Sequence, residues 1–462
     1  MERKWYIISL ALMMLMGTSC NHNDINHDGY ISNTVFTGND ASDFVGNETW
    51  SSVISIVWNG TEVSVSGAAE GVSITHTNGY VTVSSSARSI AYAVSGNGTG
   101  QLNIYSKEKF KLSMEGLTLS CPNGPVINDQ CPLTCYAVLV GTNVLSDGSP
   151  YSPSSENRKA AFFSEGPICF SGAGSLSITG NFRHALASDE YIRLCSGTGI
   201  IDLTAKSDGL HTNDGVVIND GTLTIHATDE GIQSELSSVY ISGGKVTIIS
   251  QTEGIEAKGA MQISGGEVYT QAKDDAINSG RDLTIVGGVV MAYSTNNDGI
   301  DANGNCYING GIVYAIGSRE PETAIDVNSE QRKQLYFQSG TLVAIGGLES
   351  GANLTQACYA TSSVSKNTWY ALYRDWNVAF VFNTPSDFSS SVMVVSTSGE
   401  TSLLSGVTTS DGSSILNGYA LMNTTVSGGS SVTLSAYTPS SGGGPGGGGP
   451  GGGPGGDGPG GH

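Results

Sequence analysis

Beyond its first twenty residues, this 462-residue chain has no segment approaching the ~20 consecutive apolar residues that a membrane-spanning helix needs. Charge is scarce, at 13% of residues, and basic charge is scarcer still. Only 20 Lys and Arg stand against 41 Asp and Glu, a formal net charge of −21. That balance repels phosphate backbones and anionic lipid, which argues against nucleic acid as a partner. There is no Cys-x-x-Cys pair and no cysteine–histidine grouping with the spacing of a zinc module. Beyond Cys20, seven cysteines remain: Cys121, Cys131, Cys135, Cys169, Cys195, Cys306 and Cys358. An odd set cannot all pair internally. They read as small buried hydrophobes, with room for one bridge among Cys121, Cys131 and Cys135.

At the start of the chain, Arg3 and Lys4 precede an apolar run from Trp5 to Met16, and the small residues Gly17, Thr18 and Ser19 lead into Cys20. This is the pattern of a signal peptide over 1–19, with Cys20 as the lipid-bearing residue. Gly17 stands where a lipobox usually has leucine. The expectation is an exported lipoprotein of the outer membrane or cell surface, facing outward or the periplasm and touching the membrane through its anchor only. Residues 20–45 would form a tether. Within them, Asp24, Asn26, Asp28 and Gly29 resemble the first half of an EF-hand loop, but Val35 stands where the closing carboxylate belongs.

Glycine is abundant, at 64 residues, and with scattered β-branched and aromatic residues it describes a turn-rich all-β chain. The chain repeats itself. Asp208-Gly-Leu, Glu230-Gly-Ile, Glu253-Gly-Ile, Asp275-Ala-Ile and Asp298-Gly-Ile follow one another at spacings of 22, 23, 22 and 23 residues. Ile241-Ser-Gly-Gly, Ile263-Ser-Gly-Gly, Ile285-Val-Gly-Gly and Ile308-Asn-Gly-Gly run in phase with them. Weaker copies appear at Lys159-Ala-Ala, His184-Ala-Leu and Thr323-Ala-Ile. A unit of this length cannot bury its own apolar face and must stack on its neighbours. The expected fold is a right-handed parallel β-helix over residues 46–350, followed by a small β-subdomain over 351–440 that caps its open end. The Gly/Pro-rich ending, 441–462, has no residues with which to build a core.

Stacking brings like charges into line. One column holds Asp208, Glu230, Glu253, Asp275 and Asp298, flanked by Asp229, Asp274 and Glu322. Three residues on come Gln233, Glu256, Asn278, Asp301 and Asp326. Carboxylates one rung apart, ~4.8 Å, repel by about 3.5 kcal/mol at an effective dielectric of 20. Few basic residues lie near enough in sequence to offset this, so a hard divalent ion is expected. Calcium suits carboxylate and amide oxygens better than zinc or copper does. The candidate ligands are Asp208, Asp229, Glu230, Glu253, Glu256, Asp274, Asp275, Asn278, Asp298, Asp301, Glu322 and Asp326. The competing reading is a solvated acidic edge that blunts aggregation.

A second outward column runs Thr224, Thr247, Tyr269, Met291, Tyr314. Tyr269 and Tyr314, two rungs or ~10 Å apart, match a two-sugar step along an extended glycan, so their rings are candidate stacking platforms. Lys258 and Arg281 are candidate contacts for an acidic sugar.

Gly100 to Tyr105, Glu115 to Leu119, Gly141 to Gly148 and the repeats above resemble a bacterial carbohydrate-binding β-helix family founded on a clostridial cellulose- and pectin-binding protein. The resemblance covers roughly residues 50–440. It implies a right-handed parallel β-helix, bound calcium, likeness to pectate lyases of polysaccharide lyase family nine, and affinity for cellulosic or acidic glycans. Two alternatives stand beside binding. One is a calcium-dependent lyase drawing its base from Lys258, Lys273 or Arg281. The other is a non-carbohydrate adhesin or scaffold. The sequence says nothing of oligomeric state.

Overall fold

The computed structural model describes residues 41–440. The signal-peptide reading, Cys20, the Asp24–Ile31 stretch, most of the expected tether and the Gly/Pro-rich ending lie outside the described residues. The described chain is a parallel β-solenoid of about 11 turns with an antiparallel sheet at its C-terminal end.

Each central turn lays one short strand on each of three faces. In one turn the first face receives Ser238–Ile241, the second Lys245–Ile249 and the third Ile255–Ala257. The next turn repeats this with Met261–Ile263, Glu267–Ala272 and Ile277–Ser279, each parallel to the strand before it. Between the first and second faces the Gly-Gly corners carry the bend. The second glycine of each, Gly244, Gly266, Gly288 and Gly311, has φ between 75° and 85°, a left-handed backbone that a Cβ opposes. A Cβ on Gly266 would also meet the Gly243 carbonyl oxygen at 2.7 Å.

Inside the coil, equivalent residues stack as ladders. On the third face Leu210, Ile232, Ile255, Ile277, Ile300 and Ile325 stand in unbroken register and are fully buried. Such aligned burial holds one turn on the next, at about 1.5–3 kcal/mol for each large aliphatic side chain.

Both ends of the solenoid are finished by antiparallel pairing. Strand Ser52–Gly60 folds back on Glu62–Ser66, and Val72–Thr77 on Tyr80–Ser85, which occupies edges that would otherwise recruit another chain. The segment before them is pinned to the outside of the first face. There the Arg193 guanidinium lies 2.9 Å from the buried Asp43 carboxylate and above the Phe44 ring. At the other end, Met393–Ser396 pairs antiparallel to Thr341–Ile345 and closes the second face.

The six-stranded C-terminal sheet, which includes Trp369–Arg374, Asn377–Asn383 and Thr401–Ser410, does more than cap the end. It folds back along the outside of the second face. Tyr370, Leu372, Phe380 and Phe382 pack there against Tyr269, Met291, Tyr293, Tyr314 and Val343. The reason is compositional: from Tyr269 onward the outer side of this face is aromatic and aliphatic rather than polar, and needs a cover.

All seven described cysteines are free and buried, so the bridge considered among Cys121, Cys131 and Cys135 is not formed. No helix among the described residues is long and apolar enough to cross a membrane.

Candidate metal centre and glycan face

The acidic residues sit where the chain passes from the second face to the third. The amide of the residue after each acid donates to the carbonyl of the next acid up. Gly209 bonds Glu230, Gly231 bonds Glu253, Gly254 bonds Asp275 and Ala276 bonds Asp298, at 3.0 to 3.2 Å. These bonds fix Asp208, Glu230, Glu253, Asp275 and Asp298 as one column. Glycine is demanded beside them by crowding: a Cβ on Gly231 would lie 2.5 Å from the Gly254 carbonyl oxygen and 2.2 Å from Ile248 Cγ2. Next to this column, on the outer side of the third face, His211, Gln233, Glu256, Asn278, Asp301 and Asp326 follow in strict register.

Burial and crowding make the carboxyls of Glu230, Glu253, Asp275, Asp298, Asp301 and Asp326 hard to ionise. Burial, reinforced by Asp301, Asp298 and Asp274, pushes Asp275 up to about 9. Burial likewise raises Asp298 to about 7, with Glu322 and Asp301 adding to it against a hydrogen bond from the Thr323 amide. Asp301 is raised to about 6, again by burial first. Burial and a shared hydrogen bond with Glu349 push Asp326 well up, while Glu253 is raised chiefly by burial. Glu230 is raised by burial and by Asp208.

Close contacts within the column are few. Asp275 accepts from Asn278 Nδ2 at 3.4 Å and from the Asp298 amide at 3.1 Å. Asn297 Nδ2 reaches Asp274 at 2.5 Å, and Thr252 Oγ1 reaches Asp229 at 3.3 Å. Glu322 is half-buried beside Asp298.

The cations nearby do little to neutralise this edge. Lys258 is bonded to Glu256, while Lys273 and Arg281 are exposed. Burial works to lower Lys258, but Glu256 outweighs it and holds the ammonium above its ordinary range. That is the opposite of what a general base at neutral pH needs. Lys245 pairs with Glu267 on the second face at 3.2 Å.

Two sets of three potential ligands among the described residues have donor atoms all within 4.8 Å of one another: Asp208, Asp229 and Glu230, and His184, Asp208 and His211. The second set includes two residues that reasoning from the sequence left out. Its signal was present, because His184-Ala-Leu occupies the same turn position as Asp208-Gly-Leu: the Ala185 amide bonds the Asp208 carbonyl at 3.2 Å. The other expected ligands, Glu253, Glu256, Asp274, Asp275, Asn278, Asp298, Asp301, Glu322 and Asp326, are aligned in columns but not gathered as closely.

The tyrosine platform needs correction. Thr224, Thr247, Tyr269, Met291 and Tyr314 do form one outward column on the second face. Yet Tyr269 and Tyr314 are fully buried beneath the C-terminal sheet, and the Tyr314 hydroxyl donates to the Asn383 carbonyl at 3.1 Å. No sugar can lie on those rings. A half-exposed pair, Tyr307 and Tyr336, stacks on the first face with ring centroids 5.0 Å apart.

The sequence model of the carbohydrate-binding domain-containing protein family matches residues 77–321. The chain belongs to this family. The carbohydrate-binding domain region takes in His184, His211 and the acidic turns from Asp208 to Asp298, and ends before the C-terminal sheet. No curated protein matches the chain. A solved structure described as the polysaccharide lyase-like protein from C. thermocellum, gadolinium derivative, aligns at 21% identity, covering 59% of this chain and 96% of that one, with a TM-score of 0.40.

Proposed function

We propose that this carbohydrate-binding chain is an exported lipoprotein that holds a cellulosic or acidic, pectin-like polysaccharide, with calcium bound along the turns between its second and third faces. One observation carries the reading. Asp275, Asn278, Asp298, Asp301 and Asp326 line consecutive turns, and the carboxyls of the four aspartates are raised by burial and by neighbouring acids. Hard oxygen donors of this kind, mixing carboxylate and amide, are the ligand set calcium takes. A bound divalent ion would let these groups ionise together, and its unfilled coordination positions would accept sugar hydroxyls or uronate carboxylates. Glu256 keeps Lys258 charged, which favours binding over base catalysis by that residue.

Affinity electrophoresis through polygalacturonate and through a soluble cellulose derivative tests this. Retardation should appear with calcium, vanish with a chelator, and fall at least tenfold in an Asp298→Asn, Asp301→Asn double variant. Retardation that ignores calcium, or none on either glycan, would refute the proposal. The anchor has its own test: radiolabelled palmitate should enter the chain and fail to enter a Cys20→Ala variant. Equal labelling of both would remove the lipoprotein part of the reading.

A further inference from the structure

The hard-oxygen description fits the acidic column from Glu253 onward, but it fails at the column's N-terminal end. There the equivalent position one turn before Asp208 is held by His184, and the outward residue of Asp208's own turn is His211. His184 Nδ1 lies 3.1 Å from Asp208 Oδ2, and His211 Nδ1 lies 2.8 Å from that same oxygen. The two imidazoles stack with centroids 4.3 Å apart. All three side chains are almost wholly removed from water. Glu230 and Asp229, half-buried on the next turn, offer oxygens within 4.8 Å of the same Asp208 carboxylate.

We propose that His184, Asp208 and His211 form a binding site for a zinc-class first-row divalent cation, separate from the calcium turns.

The donor chemistry supports this assignment. Two imidazole nitrogens are poor ligands for calcium, which takes oxygen almost exclusively, and good ones for zinc and its neighbours. The spacing agrees as well. Ligands bound at about 2.0–2.2 Å in tetrahedral or octahedral geometry stand roughly 2.9–3.5 Å from one another. The 2.8 and 3.1 Å nitrogen–oxygen separations are close to that, while the two rings, stacked 20° from parallel, must turn about their side-chain bonds to aim both nitrogens at one ion.

An ordinary hydrogen-bonded trio leaves His184 incompletely partnered. Its Nδ1 faces both the Asp208 carboxylate and, at 3.3 Å, the Asp208 amide, and one nitrogen cannot donate to the first while accepting from the second. Nε2 of the same ring is buried with no hydrogen-bond partner, so neither neutral tautomer satisfies the site. Two histidines and an aspartate supply three ligands, with Glu230 and Asp229 beside Asp208 on its other side. The site would tie two successive turns together, through residue 184 on one and residues 208 and 211 on the next.

Full-length protein stripped with a chelator and titrated with Co2+ tests the assignment. One equivalent should produce the visible absorption of cobalt held by nitrogen donors. One equivalent of Zn2+ should bleach the band, and a large excess of Ca2+ should leave it. The band should be lost in a His184→Gln, His211→Gln variant and kept in Asp301→Asn, which lies on the calcium turns. No band in the unaltered protein would overturn the proposal, and that result does not depend on any variant folding. A band that survives in the double variant belongs to other histidines and would overturn it equally. Because Ca2+ binding and glycan retention are read separately, failure here leaves the calcium-dependent reading standing, and the reverse holds too.

Discussion

At the scale of single residues, the chain tolerates carboxyls in places that water does not reach, and Asp129 is the extreme case. It ends the third-face strand Ile127–Asp129, fully buried, accepting the Ser164 hydroxyl at 2.8 Å and the Cys131 amide at 3.0 Å. Burial raises its pKa to about 8 against those two bonds. The folded state therefore keeps a proton that the unfolded chain releases near ~3.9. A raised carboxyl contributes its full stability below the unfolded value and loses it as pH climbs toward about 8. Asp129→Asn, which mimics the protonated acid, should flatten this dependence. In urea titrations the unaltered protein is expected to lose more stability between pH 5 and pH 8 than the variant does. Equal losses would show that Asp129 is not the group responsible.

The same scale explains why only part of the site was legible in sequence. The acidic residues announce themselves because each precedes Gly-Leu, Gly-Ile or Ala-Ile at a regular spacing. His184 carries the same register, but its chemistry reads differently from the column it heads. His211 lies three residues past Asp208, where the other turns carry Gln233, Glu256, Asn278, Asp301 and Asp326. Only the stacking of turns brings the two rings onto one carboxylate oxygen.

At the scale of elements, periodicity and composition predicted the solenoid well. The inward ladder from Leu210 to Ile325 and the Gly-Gly corners follow from a 22–23 residue period, since a register slip would turn every isoleucine outward. Orientation was equally readable on the second face: Tyr269, Met291 and Tyr314 do point away from the coil. What alternation cannot tell is whether an outward side chain meets water or another element. The answer lies about 70 to 110 residues downstream, in Phe380 and Phe382, and nothing local to Tyr269 encodes it. Such non-local cover is the part of a β-protein that pattern reading sees last. The tyrosines are structural, holding sheet to solenoid, and the glycan must be met elsewhere.

At the scale of the molecule, that docked sheet makes a prediction of its own. A chain ended after Leu354 would lose the Met393–Ser396 strand, which pairs with Thr341–Ile345, and the cover over Tyr269, Met291, Tyr293, Tyr314 and Val343. An open strand edge beside an exposed aromatic flank is a template for self-association. Opposing this is the chain's net charge of −21, whose repulsion acts between copies and is screened within ~10 Å at 0.1 M salt. The two effects separate by ionic strength. In size-exclusion chromatography with light scattering, the truncated chain should elute near monomer mass at low salt and shift to dimers and larger species as salt rises. The full chain should hold its elution position throughout. The turns before Tyr269 keep all their neighbours, so circular dichroism of the truncated protein should remain that of a β-protein. A truncated chain that stays monomeric at every salt concentration would mean the flank can face water unaided, and the sheet would then need another reason to be there.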